Sequence, residues 1–123
     1  MNLAEHNKNL IIDGFQKFAA GDVEILRTLL CEDFIEHSPG NPSGRDAFVE
    51  FIASAPVAGA RLDLRRVIAD DEFVVTHYLM TPPGDERGVA VVDIWKVADG
   101  KITEHWDVIQ PLPDPSETPH GML

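Results

Sequence analysis

The sequence predicts an α+β fold, with helices first and a curved, mostly antiparallel sheet after them. Three observations carry that expectation. Apolar residues recur at helical spacing through the first half. From Arg61 the hydrophobic period changes to alternation within short β-rich runs, and those runs are separated by turn residues rather than by further helical stretches. At 123 residues the chain is long enough for one domain with a hydrophobic core and too short for two.

Over residues 3–20, Leu3, Leu10, Ile11, Phe15, Phe18 and Ala19 form a stripe opposite Glu5, Lys8, Asp13 and Lys17, which predicts an amphipathic helix. Gly21 stops it, and Asp22 is expected to cap a second helix that turns Val23, Leu26, Leu29 and Leu30 inward and buries Cys31 as a structural thiol. "DFIEHSPG" leans toward a strand, and "SPGNPSGR" is rich enough in Gly, Pro and Asn to be a loop. In "GRDAFVEFIASAP", Asp46 is placed as the cap of a third, shorter helix with Phe48, Phe51 and Ile52 apolar and Pro56 as its stop.

Four strands follow, in "RLDLRRVIA", "EFVVTHYLM", "GVAVVDIWKV" and "KITEHWDVI". "ADDE" and "ADGK" suit tight hairpins, while "TPPGDER" makes a longer connection. Four prolines in the last fourteen residues keep that segment out of the sheet core, so the expected domain spans residues 1–110 and an extended, Pro-rich tail spans 111–123. Helices on one face of a bent sheet leave a pocket between the layers. The other face is apolar too: Ala90, Val92 and Ile94 alternate with Val89, Val91 and Trp95, which predicts a homodimer through the outer face of the sheet.

Composition narrows the function. With 44% hydrophobic and 25% charged residues the chain is an ordinary globular one, and its net charge of -11 repels nucleic acid and anionic membrane surfaces, so neither is an expected partner. One cysteine, Cys31, permits no internal disulfide. The first twenty residues, interrupted by Glu5, Lys8, Asp13 and Lys17, are neither a signal peptide nor a membrane span, and a cytoplasmic location is expected.

The chemistry is concentrated in "VVDIWKVADGKITEHWDVIQP", where Asp93, His105 and Asp107 occupy strand positions that a packed core would give to Val or Leu. By alternation His105 and Asp107 share a face. Whether Asp93 joins them depends on the turn. A two-residue Asp99-Gly100 hairpin sets Asp93 against Trp106, away from His105. A three-residue Ala98-Asp99-Gly100 loop sets Val97 against Lys101 and Asp93 against His105. The second is favoured, because it avoids burying carboxylates on two separate apolar faces.

A carboxylate, an imidazole and a second carboxylate around one cavity can divide into an acid and a base. The bland alternative is an ion pair that only ties the strands together. His37, beside the Gly/Pro loop, and His77, placed on the face of Val75 and Leu79, are further candidates, with Tyr78 facing away from His77. Trp95, Phe15 and Phe34 are expected to wall the pocket. No compact pair of histidines suggests a metal site, no serine lies in an elbow motif, and "PGNPSG" lacks the Lys-Ser/Thr of a phosphate loop. No metal and no cofactor are expected.

"DFIEHSPGNPSGRDAF", "RGVAVVDIWKVADGKITEHWDVIQP" and the closing "HGML" resemble the SnoaL-like family of the nuclear-transport-factor-2-like, ketosteroid-isomerase-like superfamily, over nearly the whole chain. The resemblance implies a cone-shaped α+β barrel of three helices on a strongly bent mixed sheet, dimerisation through its outer face, and an internal pocket. Polyketide cyclases of that family perform intramolecular aldol condensation without metal or cofactor, using an acidic residue on the last strands as base. By position Asp107 is similar to that base, with Asp93 and His105 as partners and His37 or His77 as donors to the enolate oxygen. The expected function is therefore acid–base chemistry, aldol condensation or isomerisation, on a small carbonyl compound. The alternative is a non-catalytic small-molecule-binding protein on the same scaffold.

Overall fold

A computed structural model describes residues 2–123. Asn2 caps the first helix, α1 (Leu3–Ala19), its side chain accepting the Glu5 N–H at 2.9 Å. The second helix is shorter than its pattern predicts. α2 (Ile25–Leu29) is preceded by Glu24 rather than Asp22 and carries no side-chain cap, and the chain is already extended at Leu30. Leu30 and Cys31 instead open β1 (Leu30–Glu36), because pairing with a later strand, Leu30 against Ile102, outweighs a weak local preference for helix. Cys31 is half-buried in that strand, where burial followed by Asp33 pushes its thiol pKa upward, away from nucleophilic use.

α3 (Arg45–Ala53) starts behind Gly44, whose φ of 88° favours glycine. Asp46 is therefore not the cap. It lies in the first turn and accepts hydrogen bonds from Arg45 and Arg27. The remaining strands are β2 (Arg61–Ala69), β3 (Phe73–Thr81), β4 (Val89–Ala98) and β5 (Lys101–Pro111). They form one open sheet in the order β1-β5-β4-β3-β2, with β1 parallel to β5 and the other pairs antiparallel. The three helices pack on this five-stranded mixed sheet, as the α+β cone requires, although the sheet does not close on itself.

The core lies between the layers, where Ile11, Leu29, Leu30, Phe34, Val49, Val74 and Ile102 are buried. Each such side chain contributes roughly 1.5–3 kcal/mol of transfer free energy. Asn7 of α1, almost fully buried, donates to the Asp71 carbonyl at 3.1 Å and ties the helix to the β2–β3 turn.

The β4–β5 hairpin differs from the expected one. Asp99 (φ 52°) and Gly100 (φ 75°) form a two-residue turn with both central residues left-handed, and Ala98 faces Lys101. The register then shifts: Val97 faces Ile102 but Lys96 faces Glu104, so Thr103 is an extra residue in β5. Beyond this bulge Trp95 faces His105 and Asp93 faces Asp107. The bulge lies within the strand rather than at the turn, and it brings the three polar residues to one face by another route.

Candidate functional site

The inward face of the sheet and the three helices enclose a cavity of about 430 Å³. Its wall is mostly apolar, with Phe15 and Phe18 from α1, Phe48 and Phe51 from α3, and Met80, Val91 and Trp95 from the strands. The polar residues in it are Ser38, Asn41, Tyr78, Asp93, His105 and Asp107, and no Lys or Arg is among the described lining residues. Phe15 and Trp95 stand on the wall. Phe34 does not: it is 1% exposed and lies in the core against Phe48, ring centroids 4.9 Å apart, and Phe48 takes the wall position.

His105 is the centre of the polar end. Its Nε2 is 2.8 Å from Asp93 Oδ1, and its Nδ1 is 2.8 and 3.1 Å from the two carboxylate oxygens of Glu36. All three side chains are 6% exposed or less, and Trp95 stacks on the imidazole at 4.0 Å. Burial alone would push the His105 pKa down. The hydrogen bonds and charges of Asp93 and Glu36 outweigh it and raise the pKa to about 9. The ring is therefore an imidazolium at neutral pH, with both N–H groups donating to carboxylates.

Asp107 faces the same cavity and makes no ion pair among the described residues. Burial raises its pKa above the ordinary carboxylate value. The nearby Ser38 side chain and the charge of His105 work against the rise, while Asp93 and Glu36 add to it. Tyr78 closes this end. Its phenol, edge-on to Phe15 at 5.0 Å between centroids, is buried near Asp93, and burial first, then the Asp93 carboxylate, holds its pKa well above the ordinary phenol value. The Tyr78 hydroxyl keeps its proton and serves as a donor.

Two expected site residues lie elsewhere. In β3, Thr76 faces Asp93 and Tyr78 faces Val91, so the even-numbered residues point inward. His77 faces Val92 on the outer side, where Arg66 Nη1 donates to its Nδ1 at 2.7 Å. His37 follows Glu36 out of β1 and stacks on Trp106, centroids 4.6 Å apart and rings parallel within 2°, with its Nε2 2.8 Å from Glu104. Neither lines the cavity. Glu36 rather than His37 joins the cluster, from behind the cavity wall, and Tyr78 stands on the wall where His77 was expected. Alternation contained the signal for Glu36: it is in phase with Phe34, a core residue, whereas His37 is in phase with Ile35, which is 46% exposed.

Asp93, His105 and Asp107 present one potential metal-ligand atom each, all within 4.8 Å of one another. The fit is poor, because both His105 nitrogens already meet carboxylate oxygens, and a cation would have to displace the Nε2 proton. The arrangement suits moving a proton at Asp107 beside an imidazolium held between two carboxylates.

A family model described as the SnoaL-like domain matches residues 12–105. Among solved structures, the chain is similar to an NTF-2-like protein of unknown function from Burkholderia xenovorans (19% identity, covering 98% of this chain and 99% of that one, TM-score 0.81). It is also similar to a candidate ketosteroid isomerase from Kribbella flavida (20% identity, 94% and 88%, TM-score 0.76). A third is a candidate SnoaL-like polyketide cyclase from Jannaschia (18% identity, 89% and 88%, TM-score 0.75). No curated protein matches the sequence.

Proposed function

The chain belongs to the SnoaL-like domain family, and on that footing we propose that it performs cofactor-free acid–base chemistry on a small, uncharged carbonyl compound held in the cavity. The reaction is intramolecular aldol condensation or isomerisation. Asp107 takes a proton from the carbon next to the carbonyl, and the electron pair moves into an enolate. The enolate then adds to a second carbonyl, whose oxygen takes up the electron pair of its broken π bond and the proton held by Asp107, or regains that proton at another carbon. Tyr78, on the cavity wall, donates to the enolate oxygen, and the His105 imidazolium keeps the Asp93 and Glu36 charges from adding unopposed to the one that develops. The absence of Lys and Arg from the described cavity lining favours a substrate without a carboxylate or phosphate of its own.

The single observation that carries this reading is Asp107: a carboxylate on an apolar cavity wall, its pKa raised by burial, beside a histidine already locked between two other carboxylates. The test needs no prior substrate. Deuterium exchange at the α-carbons of a panel of ketones and β-diketones, followed by proton NMR, should be faster with the protein than in buffer. Asp107→Asn should slow it by at least about 100-fold with the fold intact. Undiminished exchange in the variant dismisses Asp107, and buffer-level exchange by the wild type across the panel dismisses the reaction. The preponderance of apolar wall favours a second reading, small-molecule binding without turnover, in which Asp107→Asn changes affinity alone.

The same reading includes homodimerisation through the outer face of the sheet, where Ile35, Ile68 and Val108 stand 46%, 64% and 66% exposed.

A further inference from the structure

We propose that Glu36 is the positioning residue of the site: with Asp93 it holds His105 as a doubly donating imidazolium, which bars His105 from acting as a base and leaves Asp107 as the proton acceptor. The assignment of Asp107 rests on the function proposed above; the role of Glu36 toward His105 does not.

The geometry makes the case. A neutral imidazole has one N–H, yet each ring nitrogen of His105 meets a carboxylate oxygen at 2.8 Å. Two ionised carboxylates as acceptors require two protons on the ring; a neutral ring would fit only if one of the two acids kept its own proton, and the donors that converge on the Glu36 carboxylate oppose that. Glu36 is built for this contact. It is the last residue of β1, directly opposite His105 on β5 in the parallel register, and its side chain is fully enclosed. The loop after it donates to the same carboxylate: the His37 N–H at 2.9 Å and the Ser38 N–H at 3.2 Å to Oε1, and Asn41 Nδ2 at 3.4 Å to Oε2. These contacts hold the carboxylate in place behind the ring.

Among the described residues no other group competes for the ring. The charged and titratable side chains facing His105 are Glu36 from β1, Asp93 from β4 and Asp107 from β5, with the Tyr78 phenol of β3 beyond Asp93. Trp95 stacks on one side, and Phe48 of α3 stands 6.4 Å away. Glu104, the nearest acid in sequence, is on the opposite face with His37. Glu36 thus acts on the reaction only through His105, behind the cavity wall rather than on it.

The test is side-chain nitrogen NMR of the full-length protein across pH. In the wild type both His105 ring nitrogens should carry imidazolium signatures through about pH 8, and Glu36→Gln should lower the titration midpoint by at least about one pH unit, tenfold in proton affinity. Glu36→Asp should fall between the two. A neutral His105 at pH 7 in the wild type overturns the proposal without any variant, and so does an unchanged midpoint in Glu36→Gln. If Glu36→Gln does not fold, the wild-type titration and Glu36→Asp decide. Because these signals require no turnover, an imidazolium that depends on Glu36 in a protein that exchanges no ketone would sink the proposed reaction and leave this inference standing.

Discussion

His105 carries a stability cost and a benefit that can be separated by pH. Its folded pKa, about 9, lies above its ordinary value of 6.5. The stabilising contribution is therefore complete below about pH 6.5 and is lost as pH rises through about 9, amounting to on the order of 3 kcal/mol. Urea unfolding should show stability declining across that window, and His105→Gln should flatten the decline. Asp107 works in the opposite sense for function: its raised pKa means that burial disfavours the charged form, so Asp107→Asn should raise the melting temperature at neutral pH while removing activity. Asp93, His105 and Asp107 were legible in the sequence as polar residues at strand positions in an apolar context. Residue type draws attention to His37 and His77, but phase sets both on the outer side. Glu36 is masked by the more conspicuous histidine beside it.

At the scale of elements, the site depends on how one extra residue is accommodated. A regular hairpin from the Asp99-Gly100 turn would carry His105 to the face of Ile94; Thr103 restores it to the face of Trp95 and Asp93. Deleting Thr103 should remove the bulge yet keep Lys96 opposite Glu104, so the deletion variant should fold and retain the His105 imidazolium signal. Its loss would show that the bulge sets more than register. The sequence allowed two turns and argued correctly that the carboxylates should share a face, but placed the irregularity in the loop. A bulge three residues beyond the turn has no local signature in "KITEHW", because Thr is at home in any strand. The second helix shows the same limit: α2 is cut to one turn by β1, whose partner lies some seventy residues away.

On the scale of the molecule, the sheet has two jobs. Its inner face walls the cavity, and its outer face presents Ile94, Trp106 and Val108 around the His37–Trp106 stack. For the proposed dimer, sedimentation at micromolar concentration should give twice the chain mass, and Val108→Glu should return it to one. A wild type that sediments as a monomer discards the pairing. Since His37 and His77 lie on that outer face, their substitution should alter association before it alters chemistry.

The sequence by itself determined the α+β class, the helices-then-strands order, the four later strands and the family, because hydrophobic period and turn residues are local and survive without partners. Only the tertiary structure decided which polar residues meet. Facing in a sheet is a matter of parity, and one bulge or one strand pairing, such as β1 beside β5, changes the neighbours of every residue beyond it. That is why Glu36 and Tyr78 stand at the site, and His37 and His77 behind the sheet.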